Sequence, residues 1–89
     1  MELRPMELRD TVEMMTSEDH KERFRAEYFQ LKLREEKLND MLYKYRNGTL
    51  PFKPKCSIEL LTKQLCVMHL YALYLEERAA IEGIDITTQ

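Results

Sequence analysis

Tryptophan is absent from this 89-residue sequence, which holds only two glycines, three prolines and two cysteines. Because Gly and Pro most often interrupt helices, their scarcity beside abundant Glu, Lys, Leu, Arg and Met favours helix along almost the whole chain. No apolar run approaches the roughly 18–20 residues that a bilayer requires, so we expect no membrane-spanning helix. The opening MELRPMELRD lacks the apolar core of a signal peptide, and we therefore expect a cytoplasmic protein. In that compartment Cys56 and Cys66 are expected to be reduced, as small buried residues.

The charges nearly cancel, with 14 Lys and Arg against 16 Asp and Glu. The resulting net charge of -2 argues against general binding of duplex nucleic acid, which favours basic domains. A single domain of this size removes only about 60–65% of its unfolded surface from water, so its stability is marginal. We expect a second copy of the chain to supply the missing burial.

The helix-breaking residues gather in the stretch NGTLPFKPKCS. This grouping predicts an N-terminal arm or short helix over residues 1–16 and a helical hairpin over residues 17–89. Within the hairpin we predict helices over 17–46 and 57–82, joined by a connector over 47–56. Thr16 or Ser17 is expected to cap the first of these helices.

Heptad spacing predicts how the two long helices pair. The first predicted helix carries a stripe that is broken only at Glu35, namely Phe24, Tyr28, Leu31, Leu38, Leu42 and Tyr45. The second carries an unbroken stripe, namely Ile58, Leu61, Leu65, Met68, Ala72, Leu75 and Ala79. These stripes predict an antiparallel hairpin with a single apolar seam.

A second apolar stripe lies on the opposite side of the second helix, formed by Leu60, Val67, Tyr71, Tyr74 and Ile81. One hairpin cannot bury both sides of a helix, so this stripe predicts a homo-oligomer. Phe29 and Leu33, away from the seam of the first helix, favour the same interpretation. The alternative is that the N-terminal arm, through Leu8, Val12 and Met15, folds back over the stripe within one chain.

Lys21, Arg25, Tyr28 and Lys32 follow one another at spacings of four, three and four residues. This spacing places them within about 60° around a helix and predicts a track for a compact anion. The Tyr28 ring is suited to stack on a base, while Arg25 and Lys32 meet phosphates. The alternative is a solvated surface with Tyr28 as a core aromatic residue, because charge runs usually mark such surfaces.

Metal binding and catalysis have little support in the sequence. Cys66 and His69 share a helix, and His20 and Cys56 offer two more ligands, but structural zinc sites gather their ligands in tighter knuckles. There is no glycine-rich phosphate loop, and no Ser or Cys stands at motif spacing from a base. We therefore expect no metal, no cofactor and no enzymatic activity.

Three stretches are familiar when they occur together: ERFRAEYFQLKLREEKL, GTLPFKPKCSIELL and LEERAAIEGIDI. They resemble the helical-hairpin family of small phage anti-CBASS proteins, the cyclic-oligonucleotide sponges, particularly its T4-like version, over about Asp19 to Ile86. The resemblance implies a non-enzymatic, interlocked homohexamer in the cytoplasm of the infected bacterial host. It also implies binding of cyclic dinucleotides such as cGAMP between protomers and, in some members, of cyclic trinucleotides at separate sites.

The same resemblance assigns site residues. Lys32 in the LKLR run resembles the phosphate-contacting lysine of the family. The family often has Tyr immediately before the KERF-like run, where this chain has His20, so base stacking falls to His20, Tyr28 or Phe24. Arg34 is expected to reach a ligand across an oligomer interface. The leading hypothesis is thus a phage sponge that sequesters cyclic immune signals, and the alternative is a structural or regulatory hairpin that binds another protein through its second stripe.

Overall fold

The computed structural model describes residues 6–87. The first five residues of the predicted arm and the last two of the predicted hairpin unit lie outside the described residues. Over the described range the chain has no strand, and the prediction of an all-α protein is confirmed. Its elements are a 3-10 turn (Leu8–Thr11), α1 (Val12–Met15), α2 (His20–Arg46) and α3 (Ile58–Glu82).

Helix α2 begins at His20, three residues later than the predicted start at Ser17. The cap is Asp19, whose Oδ1 accepts a hydrogen bond from the Lys21 backbone N–H at 3.0 Å. The Ser17 hydroxyl oxygen accepts instead from the Asp19 N–H at 3.1 Å, and the Thr16 hydroxyl donates back into α1. Because both hydroxyls stabilise the turn before the helix, neither caps α2.

The glycines end both long helices. Gly48 and Gly83 have φ angles of +72° and +69°, a left-handed conformation that side chains with a Cβ rarely adopt. After α3 the chain turns back, and the Ile84 N–H donates to the Ala79 carbonyl oxygen at 2.9 Å. Helix α3 is capped at its start by Ser57, which directly precedes it. The helix limits near the connector therefore follow from local sequence.

Helices α2 and α3 pack against each other in antiparallel directions and bury one continuous core. The first half of α2 contributes Phe24 and Leu31, while the second half of α3 and the residues that follow it contribute Ala72, Leu75, Ala79 and Ile84. Closer to the connector, Leu42 is fully buried, whereas the seam positions of α3 are half-buried. Tyr45 departs from the predicted seam, because it lies exposed in the last turn of α2 beside the connector.

The N-terminal arm packs on α2 and makes no contact with α3 within the described residues. Thr11 is buried, and its hydroxyl oxygen accepts a hydrogen bond from the Gln30 amide at 2.9 Å. The arm lies on the side of α2 opposite the seam, where Ala26 and Phe29 are buried. Phe29 is thus covered within one chain and does not support oligomerisation, and the alternative in which the arm covers the second stripe of α3 is wrong.

The second stripe of α3 and both cysteines lie on the surface. The second stripe of α3 is exposed along its whole length, at Leu60, Val67, Tyr71, Tyr74 and Ile81. Cys56 and Cys66 are exposed free thiols rather than the buried residues that we expected. Cys66 lies on the outer side of α3 and Cys56 in the connector, so neither reaches the core. Among the described residues, no helix is both long and apolar enough to cross a membrane.

Candidate functional site

A groove of about 230 Å³ lies where α2 meets both ends of the described chain. Helix α2 supplies most of its lining, and one residue comes from before the 3-10 turn and one from after α3. The lining residues are Met6, Tyr28, Phe29, Lys32, Leu33, Glu36 and Thr87. The groove brings together an aromatic ring, an ammonium group and apolar walls, which are the groups that a nucleotide ligand requires.

Tyr28 is fixed across the hairpin seam. Its hydroxyl donates to Glu76 Oε2 of α3 at 2.7 Å, and its ring lies edge-on to Phe29 with centroids 5.9 Å apart. Burial, followed by the hydrogen bond to Glu76, raises the pKa of Tyr28 to about 12. The phenol is therefore neutral at physiological pH, and its ring is held at the edge of the groove.

Among the described residues of the groove lining, Lys32 is the one cation. Its Nζ lies 3.6 Å from Glu35 Oε2, which is longer than a hydrogen bond, so its donors remain available. Glu35, the polar break in the predicted seam, has its other oxygen 3.2 Å from His69 Nδ1 of α3. This contact orients the Glu35 carboxylate across the hairpin while Lys32 stays half-exposed.

Arg25 does not line the groove. Its guanidinium lies over the Phe29 ring at 5.4 Å from the centroid, and its Nε is 3.6 Å from Glu22 Oε1. Its Nη1 donates to the backbone carbonyl oxygen of Asp85. The structure thus directs Arg25 towards the segment after α3 rather than towards Lys32.

Phe24 is a correction to the predicted site. The residue is only 6% exposed inside the hairpin core, and the Arg78 guanidinium lies 5.0 Å from its ring centroid. A ring covered in this way is not available to stack on a base. His20, Lys21 and Arg34 are exposed but do not line the groove. Of the predicted set, the structure brings only Tyr28 and Lys32 together there.

Sequence reasoning missed the groove residues that come from the chain ends, Met6 and Thr87. A signal for Thr87 was available, because an antiparallel hairpin places the end of α3 beside the beginning of α2. The left-handed turn at Gly83 then returns the chain across α2. Glu36, which also lines the groove, was not among the predicted site residues.

A larger depression of about 500 Å³ is lined by Glu36, Lys37, Asn39, Asp40, Tyr43 and Arg46. All of these residues belong to α2, so no second element among those described closes the depression, and the smaller groove is the better candidate site. The described residues contain no group of three or more His, Cys, Asp or Glu side chains placed to hold a metal ion.

Comparison with known proteins gives a family match. The family model described as Sequestin matches residues 18–81, which is more than half of the chain and includes both long helices except the last residue of α3. No curated protein and no solved structure matches the chain. The matched range contains Tyr28 and Lys32 of the groove.

Proposed function

The chain belongs to the Sequestin family, and from this premise we propose that it is a phage anti-defence sponge. It binds host cyclic di- and trinucleotide immune signals, such as cGAMP, in the cytoplasm of the infected bacterium. It holds them without cleaving them, so that the host effector is not activated. The family name is consistent with a sequestering role, and the groove around Tyr28 and Lys32 is the observation on which the proposal depends.

The chemistry of the groove fits a cyclic nucleotide. A base offers an apolar face, which the Tyr28 ring and the Leu33 side chain match, and a phosphate offers oxygens that the Lys32 ammonium can bind. Lys32 keeps its donors because its contact with Glu35 is 3.6 Å long. Sequestration requires only these contacts, since the ligand is held rather than transformed.

Within the described residues, one protomer supplies less positive charge to the groove than a ligand with two phosphates requires. Glu36 lines the groove beside Lys32, and Arg25 is directed towards Asp85. We propose that a second copy completes the site and adds cations from its own α2, among which the exposed Arg34 is the first candidate. An interface between copies also excludes water, which strengthens each contact between charges.

The outer side of α3 supports this assembly. Its exposed large apolar residues are Leu60, Val67, Leu70, Tyr71, Leu73, Tyr74 and Ile81. Exposed apolar residues that recur along one side of a helix are typical of an interaction site. We propose a homo-oligomer, a hexamer by resemblance, in which copies pack through this side of α3.

Calorimetric titration with a panel of cyclic di- and trinucleotides tests the proposal. We expect saturable binding of at least one member, and we expect the nucleotide to be recovered intact after the protein is denatured. A linear dinucleotide of the same bases is the matched control and should bind more weakly, because it loses conformational freedom on binding. Absence of binding across the panel, or a linear product that increases with time and protein, contradicts the proposal.

A second candidate function rests on the same exposed side of α3. The chain is then a structural or regulatory hairpin whose outer stripe binds another protein, and the groove has no ligand. The two functions are separated by Lys32→Ala. This variant should weaken nucleotide binding by a sponge, whereas it should leave a protein partner bound through α3 unaffected.

A further inference from the structure

The segment that follows α3 folds back over α2. Ile84 is buried, and Ile86 packs against the same hairpin core. Thr87 then reaches the lining of the groove. We refer to residues 84–87 as the C-terminal strap.

Arg25 holds the strap by its backbone. Its Nη1 donates to the Asp85 carbonyl oxygen, while the Phe29 ring lies beneath the guanidinium. The Arg25 side chain is only 19% exposed. Because the acceptor is a main-chain carbonyl, the contact fixes the path of the chain and not merely one side chain.

Asp85 transmits this constraint to the groove. Its Oδ1 accepts hydrogen bonds from the Thr87 hydroxyl at 2.7 Å and from the Thr87 N–H at 2.9 Å. These bonds lower the pKa of the Asp85 carboxyl, which therefore stays an ionised acceptor at neutral pH. A continuous set of contacts thus runs from Arg25 through Asp85 to Thr87 in the groove wall.

We infer that Arg25 and Asp85 are positioning residues that hold the C-terminal strap as one wall of the Tyr28 and Lys32 groove. Neither residue contacts the bound anion. The inference rests on the proposed function, because it assigns a role within the same ligand site. It also changes the role of Arg25, because its helical spacing from Lys32 predicted that Arg25 contacts a phosphate.

A double-mutant cycle tests the inference with cGAMP as the probe. The variants are Arg25→Ala, a chain that ends after Ile84, and the combination of the two, each titrated by calorimetry. We expect each single change to weaken binding about 3- to 10-fold, the scale of one net hydrogen bond. In the shortened chain, Arg25→Ala should cost clearly less than in the full chain, because the strap through which it acts is gone.

Arg23→Ala is the matched control. Arg23 lies two residues earlier on α2 and also donates to a backbone carbonyl, that of Ser17, at 2.7 Å. This contact does not involve the strap, so Arg23→Ala should leave the affinity for cGAMP unchanged. If the shortened chain does not fold, Asp85→Ala replaces it in the cycle, because Asp85 is exposed and its removal leaves the core intact.

The experiment distinguishes failure of the proposed function from failure of the inference about the strap. If the unchanged chain binds none of the cyclic nucleotides, the proposed function fails and the strap has no site to shape. If the unchanged chain binds cGAMP and the losses from Arg25→Ala and from shortening multiply, Arg25 contacts the ligand directly and the inference alone is overturned. It is likewise overturned if the unchanged chain binds cGAMP and Arg25→Ala binds it equally well.

Discussion

At the scale of single residues, the site depends on how the carboxylates around Lys32 are oriented. Glu35 lies in the seam with its side chain only 14% exposed, where it is shared between Lys32 and His69. A carboxylate placed this close would screen a phosphate from Lys32 if it paired with the ammonium tightly. The distance of 3.6 Å to Lys32, against 3.2 Å to His69, leaves the ammonium available to a ligand.

Replacing Lys32 with Ala should therefore weaken binding of a cyclic dinucleotide by about 1.5–3 kcal/mol, or roughly 10- to 150-fold. Stability without ligand should change by less than about 1 kcal/mol, because the pair with Glu35 is partly exposed. Calorimetry measures the first effect and thermal unfolding the second. Lys37→Ala is the control, since it removes the same charge about 140° farther round α2. Equal small losses from both variants would indicate diffuse attraction instead of a site.

The raised pKa of Tyr28 predicts how its contribution to stability depends on pH. Its pKa is raised to about 12, so the folded chain favours the neutral phenol. The contribution of this phenol to stability is complete below pH 10.0, its ordinary pKa, and is lost as the pH rises towards about 12. Ultraviolet titration should show a late phenolate step that Tyr28→Phe removes. If the late step persists in Tyr28→Phe, the hydrogen bond to Glu76 does not control this titration.

At the scale of elements, α3 is the helix with two apolar sides. Its inner side pairs with α2, and its outer side has no cover within the described residues. Tyr71 is a poor probe of the outer side, because its hydroxyl donates to Glu27 of α2. Tyr74, at 66% exposure, is the better position for a test.

We expect Tyr74→Glu to weaken self-association, because a carboxylate buried at an apolar contact without a partner is costly. Light scattering over a range of protein concentrations measures the effect. Tyr43→Glu is the matched control: Tyr43 is exposed to 63%, but it lies on α2. Normal assembly of Tyr74→Glu would exclude this part of α3 from the interface.

The seam of the hairpin and the ends of its helices could be predicted from the sequence. Heptad spacing predicts the seam of the hairpin, and Gly48 and Gly83 predict where the helices end, because both signals are local. The start of α2 was placed too early because Ser17 and Asp19 are both good capping residues. Only the tertiary structure decides which of them is used.

The candidate site was harder to predict from the sequence than the fold. Helical spacing places Arg25 beside Lys32, yet it cannot show that a backbone carbonyl sixty positions away occupies the guanidinium. The same spacing cannot show that the N-terminal arm covers Phe29. Contacts between distant parts of the chain determine both, and they separate residues that share one side of an isolated helix.

At the scale of the whole molecule, the groove lies at the end of the hairpin where three parts of the chain meet. The N-terminal arm covers one side of α2, and α3 covers the other. The C-terminal strap closes over the same region through Ile84 and Ile86. The outer side of α3 is exposed among the described residues and does not contribute to the groove lining.

A pocket completed between copies makes a prediction about linkage. If cGAMP binds the assembled form better than the separate protomer, it must stabilise assembly by the same free energy that assembly adds to binding. If the separate protomer does not bind cGAMP, each occupied site stabilises the assembled form by about 2.7 kcal/mol at a cGAMP concentration of about 100 times Kd. Dissociation on dilution should then begin at a clearly lower protein concentration with cGAMP than without it, as light scattering would show. Lys32→Ala should assemble normally but show a smaller shift at the same nucleotide concentration, because its affinity for cGAMP is lower. Tight binding to the unchanged chain without any shift would place the whole pocket within one protomer and remove the need for a second copy.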